Sequence, residues 1–367
     1  MRPSTAARVH VTPRFALESG EILRDVRQAY VLEGALNARR DNLVVVFHAL
    51  TGSPETLGGW KGSVIGPGKA IDTNRWAVLC PNLLGSCYGT VFKRPLRKEY
   101  AHSAHPSIST RDQAHLVENL LNSLDVSTVA LVTGGSLGGM VALEWAATFP
   151  DRTGEAVVFA APAAHTAWAI GWNHVQRRAL DAGGPEAGLA IARMAGMLTY
   201  RTPQEFESRF GRQGGADEPF AVQSYLSRHG TKLVARFDAK SYRALLAAMD
   251  AHDVGRGRGG AAAALRPVAA RLTGVGIPGD GLYPDALVKG WAGEAGASYA
   301  ELDSAHGHDG FLLEPDAAGA LLAGALERRA AERQPDVAPF DRRTGRLSPG
   351  AEEEEAGRAS SSSAAAP

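Results

Sequence analysis

The stretch "LVTGGSLGGMVALEWA", residues 131–146, decides the fold, because a strand pattern and a helix pattern meet there at four glycines and one serine. Apolar, β-branched residues before the glycines predict a buried strand, and the apolar spacing from Met140 onward predicts a helix. A serine at so sharp a turn has strained backbone angles, and side chains two residues away would collide with the neighbouring strand or helix. Glycine at positions 134 and 138 removes that clash. The pattern therefore predicts that Ser136 is a nucleophile.

A chance match is the alternative to this interpretation. In a chain with 42 glycines, G-x-S-x-G can arise without function, as a plain glycine turn or a phosphate loop with an idle serine. The strand before and the helix after the motif are the context that a nucleophilic serine requires, and they favour catalysis. Since the helix starts at the serine, we expect the free N–H of Leu137 to face an oxyanion.

A serine nucleophile needs a histidine base and an acid that orients it, and after such a turn the acid precedes the histidine in the chain. Asp280 in "GVGIPGDGLYP" ends a predicted strand, and His308 in "DSAHGHDGFL" follows the next one. The sequence therefore predicts Asp280 as the acid and His308 as the base. Asp285 and Asp303 are the alternatives for the acid, and His306 is the alternative for the base.

Two further features concern the chemistry of the site. The second oxyanion donor is expected in the loop after an earlier central strand, and "VVVFHALTGS" offers the N–H of Leu50. His48 is expected to pack beneath the site, and an ordinary glycine turn is the alternative for this loop. His306 and His308 could in principle hold a metal ion, but the sequence has no further ligand cluster near them, so no metal site is predicted.

Composition limits the functional classes. The 39 basic and 39 acidic residues cancel, so no overall field favours nucleic acid or an anionic membrane. The first residues are basic without an apolar run behind them, which predicts a cytoplasmic protein without a signal peptide. Cys80 and Cys87 are too few for a disulfide scaffold and are expected to be reduced thiols. A small molecule or a protein is therefore the expected partner.

The order of patterns along the chain predicts an α/β fold. Continuous apolar runs of strand length alternate with helical stretches, as in a mostly parallel central sheet flanked by helices. The strand signal is lost in the middle of the chain, which predicts a helical insertion that covers the sheet as a lid. The tail is poor in apolar residues and is expected to be disordered. The predicted parts are a core in two pieces, residues 13–162 and 263–330, the helical insertion at 163–262, and the disordered tail at 331–367.

Several segments resemble the homoserine O-acetyltransferase family of acyltransferases with the α/β-hydrolase fold. They include "RRDNLVVVFHALTGS", "TGGSLGGMVALEWAATFPDR", "YLSRHGTKLVARFDAKSYRALLAAMD" and "LDSAHGHDGFLLE", and the resemblance runs from about residue 28 to 325. It implies ping-pong transfer of an acetyl group from acetyl-CoA to L-homoserine through an acetyl-serine, with acetyl-CoA as a substrate and no bound cofactor. Arg193, Tyr200 and Asp309 match the family's acceptor-binding positions. The family also suggests a homodimer formed through the insertion.

The chain departs from the family's pattern in two shorter loops, at about residues 88–110 and 181–189. These departures leave the chemistry in place and concern the choice of donor and acceptor. A succinyl donor, a serine acceptor or the hydroxyl of a secondary metabolite therefore stay open as alternatives. A serine esterase with the same triad is the alternative enzymatic function. A catalytically inactive binding protein with the same fold is the non-enzymatic alternative.

Overall fold

A computed structural model describes residues 7–94, 106–333, 340–341 and 346–347. The chain divides into two units, residues 1–326 and residues 327–367. The first unit contains the sheet and the functional residues predicted above. Within the described residues its strands are β1 Arg8–Ala16, β2 Ile22–Glu33, β3 Leu43–Phe47, β4 Ile65–Gly66, β5 Ile71–Asp72, β6 Ala77–Pro81, β7 Val91–Lys93, β8 Val129–Gly135, β9 Thr153–Phe159, β10 Leu272–Gly276 and β11 Ser298–Glu301.

The main sheet has the strand order β1-β2-β6-β3-β8-β9-β10-β11, and β7 pairs with β2. From β6 to β11 every neighbouring pair is parallel, whereas β1, β2 and β7 pair antiparallel. Every residue of β3, β6, β8 and β9 is buried, because helices cover both faces of a parallel sheet. The prediction of a mostly parallel central sheet flanked by helices is confirmed.

The first strand was not predicted. β1 starts at Arg8, so the predicted start of the core at residue 13 falls inside it. Its side chains alternate between polar and apolar, and Val9 and Val11 are exposed at 40% and 43%. The strand therefore lacks the continuous apolar run that identified the central strands. It lies at the sheet edge, where one face meets solvent.

The helices lie in three groups along the chain. α1 and α2 precede the insertion, five complete helices and the start of α8 lie within residues 163–262, and the others follow it. Their bounds are α1 Thr110–Ser123, α2 Leu137–Thr148, α3 Ala167–Gly183, α4 Leu189–Tyr200, α5 Pro203–Phe210, α6 Ala221–Val234, α7 Ala239–Asp250, α8 Ala261–Leu265, α9 Asp285–Ala295, α10 Gly310–Leu313 and α11 Pro315–Arg333.

The chain enters and leaves the helical insertion at one place. Ala164, just before α3, forms an antiparallel bridge with Asp253, just after α7. The amide of His165 donates to the carbonyl of His252 at 2.9 Å, and the amide of Val254 donates to the carbonyl of Ala163 at 2.9 Å. The two ends of the insertion are therefore fastened to each other by backbone hydrogen bonds.

The predicted disordered tail lies for the most part outside the described residues. Helix α11 ends at Arg333. In the second unit, β12 Phe340–Asp341 pairs antiparallel with β13 Arg346–Leu347. Among the described residues, no helix is both long enough and apolar enough to span a bilayer.

Candidate active site

Ser136 lies between the last residue of β8 and the first residue of α2. Its backbone angles are φ 58° and ψ −127°, a region that costs a residue with a Cβ of the order of 1–3 kcal/mol. The amide of Ser136 donates to the carbonyl of Phe159 at 3.1 Å, and its carbonyl accepts from Met140 at 2.9 Å. The strained turn is therefore held at both ends, by the next strand and by the first turn of the helix.

Close backbone approach explains the glycines around the serine. A Cβ on Gly134 would lie 2.6 Å from the carbonyl of Gly138, and a Cβ on Gly138 would lie 2.2 Å from the carbonyl oxygen of Phe47. The predicted clash with a neighbouring strand and helix is confirmed. Glycine is required at position 135 for a further reason, because a Cβ there would lie 2.4 Å from the ring of Phe311.

Asp280 and His308 are in direct contact. His308 Nδ1 lies 2.7 Å from Asp280 Oδ2, and both side chains are almost completely buried. The other carboxylate oxygen, Oδ1, accepts from the amides of Leu282 at 2.8 Å and Tyr283 at 2.9 Å. The carboxylate is therefore fixed by its own loop and directs one oxygen at the imidazole.

Two opposing effects set the basicity of His308. Burial lowers the pKa of the imidazole, but the charge and hydrogen bond of Asp280, with the charge of Asp309, outweigh it and raise the pKa above its ordinary value of 6.5. Within the described part of the chain, Nε2 of His308 is buried and has no hydrogen-bond partner. Nε2 therefore forms no hydrogen bond to the hydroxyl of Ser136, although both residues line the same cavity.

The alternative residues lie in other environments. Asp285 is the first residue of α9, and Asp303 is exposed after β11. His306 Nδ1 lies 3.2 Å from Glu205 Oε2 in an ion-pair contact. Of the predicted candidates for acid and base, Asp280 and His308 are the two that the structure brings into hydrogen-bond contact.

The two predicted oxyanion donors flank the serine in different ways. Leu137 is the first residue of α2, where an N–H has no partner within the helix. Leu50 lines the same cavity as Ser136. The loop before Leu50 is held by His48, whose Nδ1 is 2.8 Å from the carbonyl of Ala49 and whose Nε2 accepts from the amide of Leu83 at 3.2 Å. Burial lowers the pKa of His48 to about 4, so it stays neutral in this role.

The three predicted acceptor-binding residues line one cavity with Ser136 and His308. Its volume is about 200 Å³. The guanidinium carbon of Arg193 lies 5.3 Å from the centre of the Tyr200 ring, which is 5.8 Å from the His308 ring. Burial raises the pKa of Asp309, although the positive charges of Arg201, His308 and Arg193 oppose it. A cation in the cavity would therefore stabilise the charged carboxylate.

Two arginines of this site were not predicted. Arg201 Nε lies 3.2 Å from Asp309 Oδ2, and its Nη1 donates to Glu205 at 3.1 Å. Arg236 donates to the carbonyl of Thr51 at 2.6 Å and to the phenol of Tyr88 at 2.7 Å. Arg201 directly follows Tyr200, and that adjacency was its one sequence signal. Arg236 is distant in sequence from both of its partners.

The remaining sequence predictions concern metals, thiols and loops. Among the described residues, no group of three or more His, Cys, Asp or Glu side chains is placed to hold a metal ion. Cys80 and Cys87 are free thiols, and burial raises the pKa of Cys80 to about 12. Residues 95–105 of the first shortened loop lie outside the described part of the chain. In the second, residues 184–188 form one wide helical turn between α3 and α4.

Comparison with known proteins identifies relatives over most of the chain. A family model described as the α/β hydrolase fold matches residues 42–182. A homoserine O-acetyltransferase of Thermobifida fusca is 42% identical over 352 residues, covering 87% of this chain and 93% of that protein. The corresponding protein of Thermus thermophilus is 40% identical over 361 residues, covering 89% and 92%.

Solved structures share the architecture. A homoserine O-acetyltransferase of Bacillus anthracis superposes with a TM-score of 0.79 at 19% identity, over 88% of this chain and 97% of that one. Esterase E22 superposes with a TM-score of 0.78 at 20% identity, over 87% and 99%. At such identity the two structures show the α/β-hydrolase fold alone, since the same fold carries both titles.

Proposed function

Because the chain belongs to the homoserine O-acetyltransferase family, we propose that it transfers an acetyl group from acetyl-CoA to the hydroxyl of L-homoserine, a step of methionine biosynthesis. Ser136 is the nucleophile, His308 the base and Asp280 the residue that orients it. Acetyl-CoA is a substrate, and the reaction needs no bound cofactor or metal ion. The observation that carries the proposal is the buried Nε2 of His308, which lacks a partner among the described residues while Asp280 holds Nδ1.

In the first half-reaction Ser136 Oγ attacks the thioester carbonyl while His308 Nε2 takes the hydroxyl proton. The carbonyl oxygen becomes an oxyanion, which the N–H groups of Leu50 and Leu137 stabilise. When the carbon–sulfur bond breaks, His308 returns the proton to the leaving sulfur. Free CoA departs and an acetyl ester remains on Ser136.

In the second half-reaction the same groups act on the acceptor. His308 Nε2 takes the proton of the homoserine hydroxyl, and the resulting alkoxide attacks the acetyl ester. The proton then returns to Ser136 Oγ as its bond to the acetyl carbon breaks. O-Acetylhomoserine leaves and the free serine is restored.

The acceptor is held by groups of opposite charge. Arg193 binds the α-carboxylate through its planar guanidinium, Asp309 pairs with the α-ammonium, and the phenol of Tyr200 adds a directional hydrogen bond. Burial raises the pKa of Asp309 against the charge of Arg201, so a further cation beside this carboxylate would stabilise its charged form. Succinyl-CoA and serine are the donor and acceptor to test as competitors.

Free thiol appearance tests the reaction as a whole. We expect CoA release from acetyl-CoA to continue beyond one turnover only when L-homoserine is present, with O-acetylhomoserine formed in equal amount. A faster reaction with succinyl-CoA or with serine would correct the substrate but keep the mechanism. Steady CoA release without any amino acid would mean that the protein is an esterase.

Removing the arginine of the acceptor site should separate the two half-reactions. We expect Arg193→Ala to cost about 2–4 kcal/mol of transition-state stabilisation in transfer to homoserine, as typical for the loss of a desolvated charged partner. Formation of the acetyl-enzyme should be unchanged, because acetyl-CoA does not need the carboxylate partner. Burst kinetics with acetyl-CoA alone, followed by addition of homoserine, measure both steps.

The matched control is Arg228→Ala, which removes an exposed arginine from α6. It should leave both half-reactions unchanged. Unaltered transfer to homoserine in Arg193→Ala would show that the acceptor is held elsewhere in the cavity.

We further propose that the protein is a cytoplasmic homodimer that associates through the insertion. Of the exposed large apolar side chains, several lie on α3 and α4, including Trp168 at 58%, Val175 at 51% and Ile191 at 50%. An exposed apolar surface of this kind favours association. Sedimentation measurements give the oligomeric state directly.

A further inference from the structure

The first residues of the helical insertion hold the loop that carries Asp280. The indole Nε1 of Trp168 donates to the carbonyl of Gly281 at 2.9 Å. The imidazole Nε2 of His165 lies 2.9 Å from the hydroxyl of Tyr283. Two side chains from the start of the insertion therefore contact the segment 280–283. Trp168 contacts the backbone of that segment, and His165 contacts its buried tyrosine side chain.

The opposite side of His165 contacts α7, the last complete helix of the insertion. His165 Nδ1 lies 3.2 Å from Asp250 Oδ1, at the end of α7. Asp250 also accepts from Asn173 Nδ2 at 2.7 Å and pairs with Arg177, both on α3. The contact between His165 and Asp250 is a charge contact and not a hydrogen bond, because His165 Nδ1 has no hydrogen-bond partner among the described residues. A carboxylate beside Nδ1 favours the tautomer that carries its proton there, which leaves Nε2 as the acceptor for the hydroxyl of Tyr283.

Tyr283 also faces the catalytic pair. The backbone amide of Tyr283 donates one of the two hydrogen bonds that Asp280 Oδ1 accepts, at 2.9 Å. Its ring packs edge-on against His308 with 5.2 Å between ring centres. The side chains of Tyr283 and His165 are completely buried, so water does not compete for the hydrogen bond between them.

We propose that Asp250, His165 and Tyr283 form a positioning relay, in which the two ends of the helical insertion fix the 280–283 loop and through it the orientation of Asp280 toward His308. None of the three exchanges a proton with a substrate, so they are positioning residues. The inference rests on the proposed function, because it concerns the residue that orients the base.

The relay makes the position of the insertion part of catalysis. A loop displacement of about 1 Å is enough to cost on the order of 100-fold in rate, because proton transfer depends on alignment. If Asp250 on α7 moves away from His165, the imidazole loses the charge that orients it and the hydroxyl of Tyr283 no longer has a fixed acceptor. Asp280 then holds His308 correctly only while the insertion is in place over the cavity.

The test removes one hydroxyl. We expect Tyr283→Phe to lower the rate of acetyl-enzyme formation by about tenfold, while the KM for homoserine changes little. The resonance of the proton between His308 and Asp280 should also move upfield, because a poorly aligned hydrogen bond deshields its proton less. A side chain with only a packing role would leave that resonance unchanged, because the phenyl ring fills the same space.

A double-mutant cycle tests the link to His165. We expect His165→Ala to match Tyr283→Phe, the double variant to be no slower than either, and His165→Gln to restore part of the rate because its amide reaches toward the phenol. Tyr299→Phe, the same change at a tyrosine on β11, is the control and should leave both readouts unaltered. If His165→Ala does not fold, the acylation rates and resonances of Tyr283→Phe and His165→Gln test the relay instead.

An acylation rate within twofold of the wild type and an unshifted resonance in Tyr283→Phe would overturn the relay. Additive losses in the double variant would overturn it as well. Both outcomes leave the proposed function standing, since that depends on acetyl transfer by the unmodified protein and on Ser136.

Discussion

We expect Ser136→Ala to lower kcat for acetyl transfer by about 10⁶-fold, the loss that follows when a serine nucleophile of a triad is removed. No acetyl-enzyme should form, because the variant has no hydroxyl to carry the ester. The fold should survive, since the change removes one oxygen at a turn whose backbone is held by Phe159 and Met140. Mass spectrometry after incubation with acetyl-CoA detects the acetyl adduct, and chemical denaturation gives the free energy of unfolding.

Three variants give this prediction its controls. His308→Ala should be about as damaging as Ser136→Ala, and the double variant should be no worse, because the two residues act as a unit. His306→Ala should retain activity, because its imidazole contacts Glu205, Glu314 and Arg201, none of which takes part in the proposed proton transfer. Activity in Ser136→Ala within about tenfold of the wild type would contradict the serine mechanism. If His306→Ala is the more damaging histidine change, the base has been misassigned.

Glycine at the same position separates strain from chemistry. Ser136→Gly should be as inactive as the alanine variant but should raise the free energy of unfolding by about 1 kcal/mol, because glycine adopts φ 58° without strain. The protein therefore keeps a strained residue at the one position where its hydroxyl is needed.

The nucleophile turn could be predicted because its cause is local. Gly134 and Gly138 are required by contacts within a single strand–turn–helix unit, and the sequence displays that unit directly. Asp280 and His308 could be predicted because they follow successive strands of a parallel sheet, whose carboxyl ends meet at one edge. In both cases the regular order of elements carries the information.

The rest of the site depends on contacts that the order of elements does not fix. Arg201 pairs with Asp309 across more than a hundred residues, and Tyr283 meets His165 across a similar separation. Such contacts arise from how the insertion folds back on the core, and neither spacing nor composition records them. Strand β1 was missed for a different reason, because an edge strand with one face in solvent lacks a continuous apolar run.

The effect of Asp280 on the pKa of His308 can be measured from the pH dependence of the reaction. Asp280 outweighs burial and raises the pKa of His308 above 6.5, and the base must be neutral to act. In the wild type, kcat/KM for acetyl-CoA should therefore rise with pH through a kinetic pKa above that value. In Asp280→Asn the charge that raises the pKa of His308 is gone and burial remains. The rising limb of the plot of kcat/KM against pH should therefore move to lower pH.

The same substitution should lower the high-pH plateau of kcat/KM by about 10⁴-fold, because it enforces the wrong tautomer of His308. The asparagine carbonyl can still accept from the amides of Leu282 and Tyr283, which leaves its NH₂ group facing His308 Nδ1. A donor at that place makes Nδ1 an acceptor and puts the imidazole proton on Nε2, where it blocks attack by Ser136. Asp303→Asn, an exposed change in the loop after β11, should alter neither the limb nor the plateau. If the limb of Asp280→Asn stays in place or moves to higher pH, or if its plateau falls by less than about tenfold, another group orients the base.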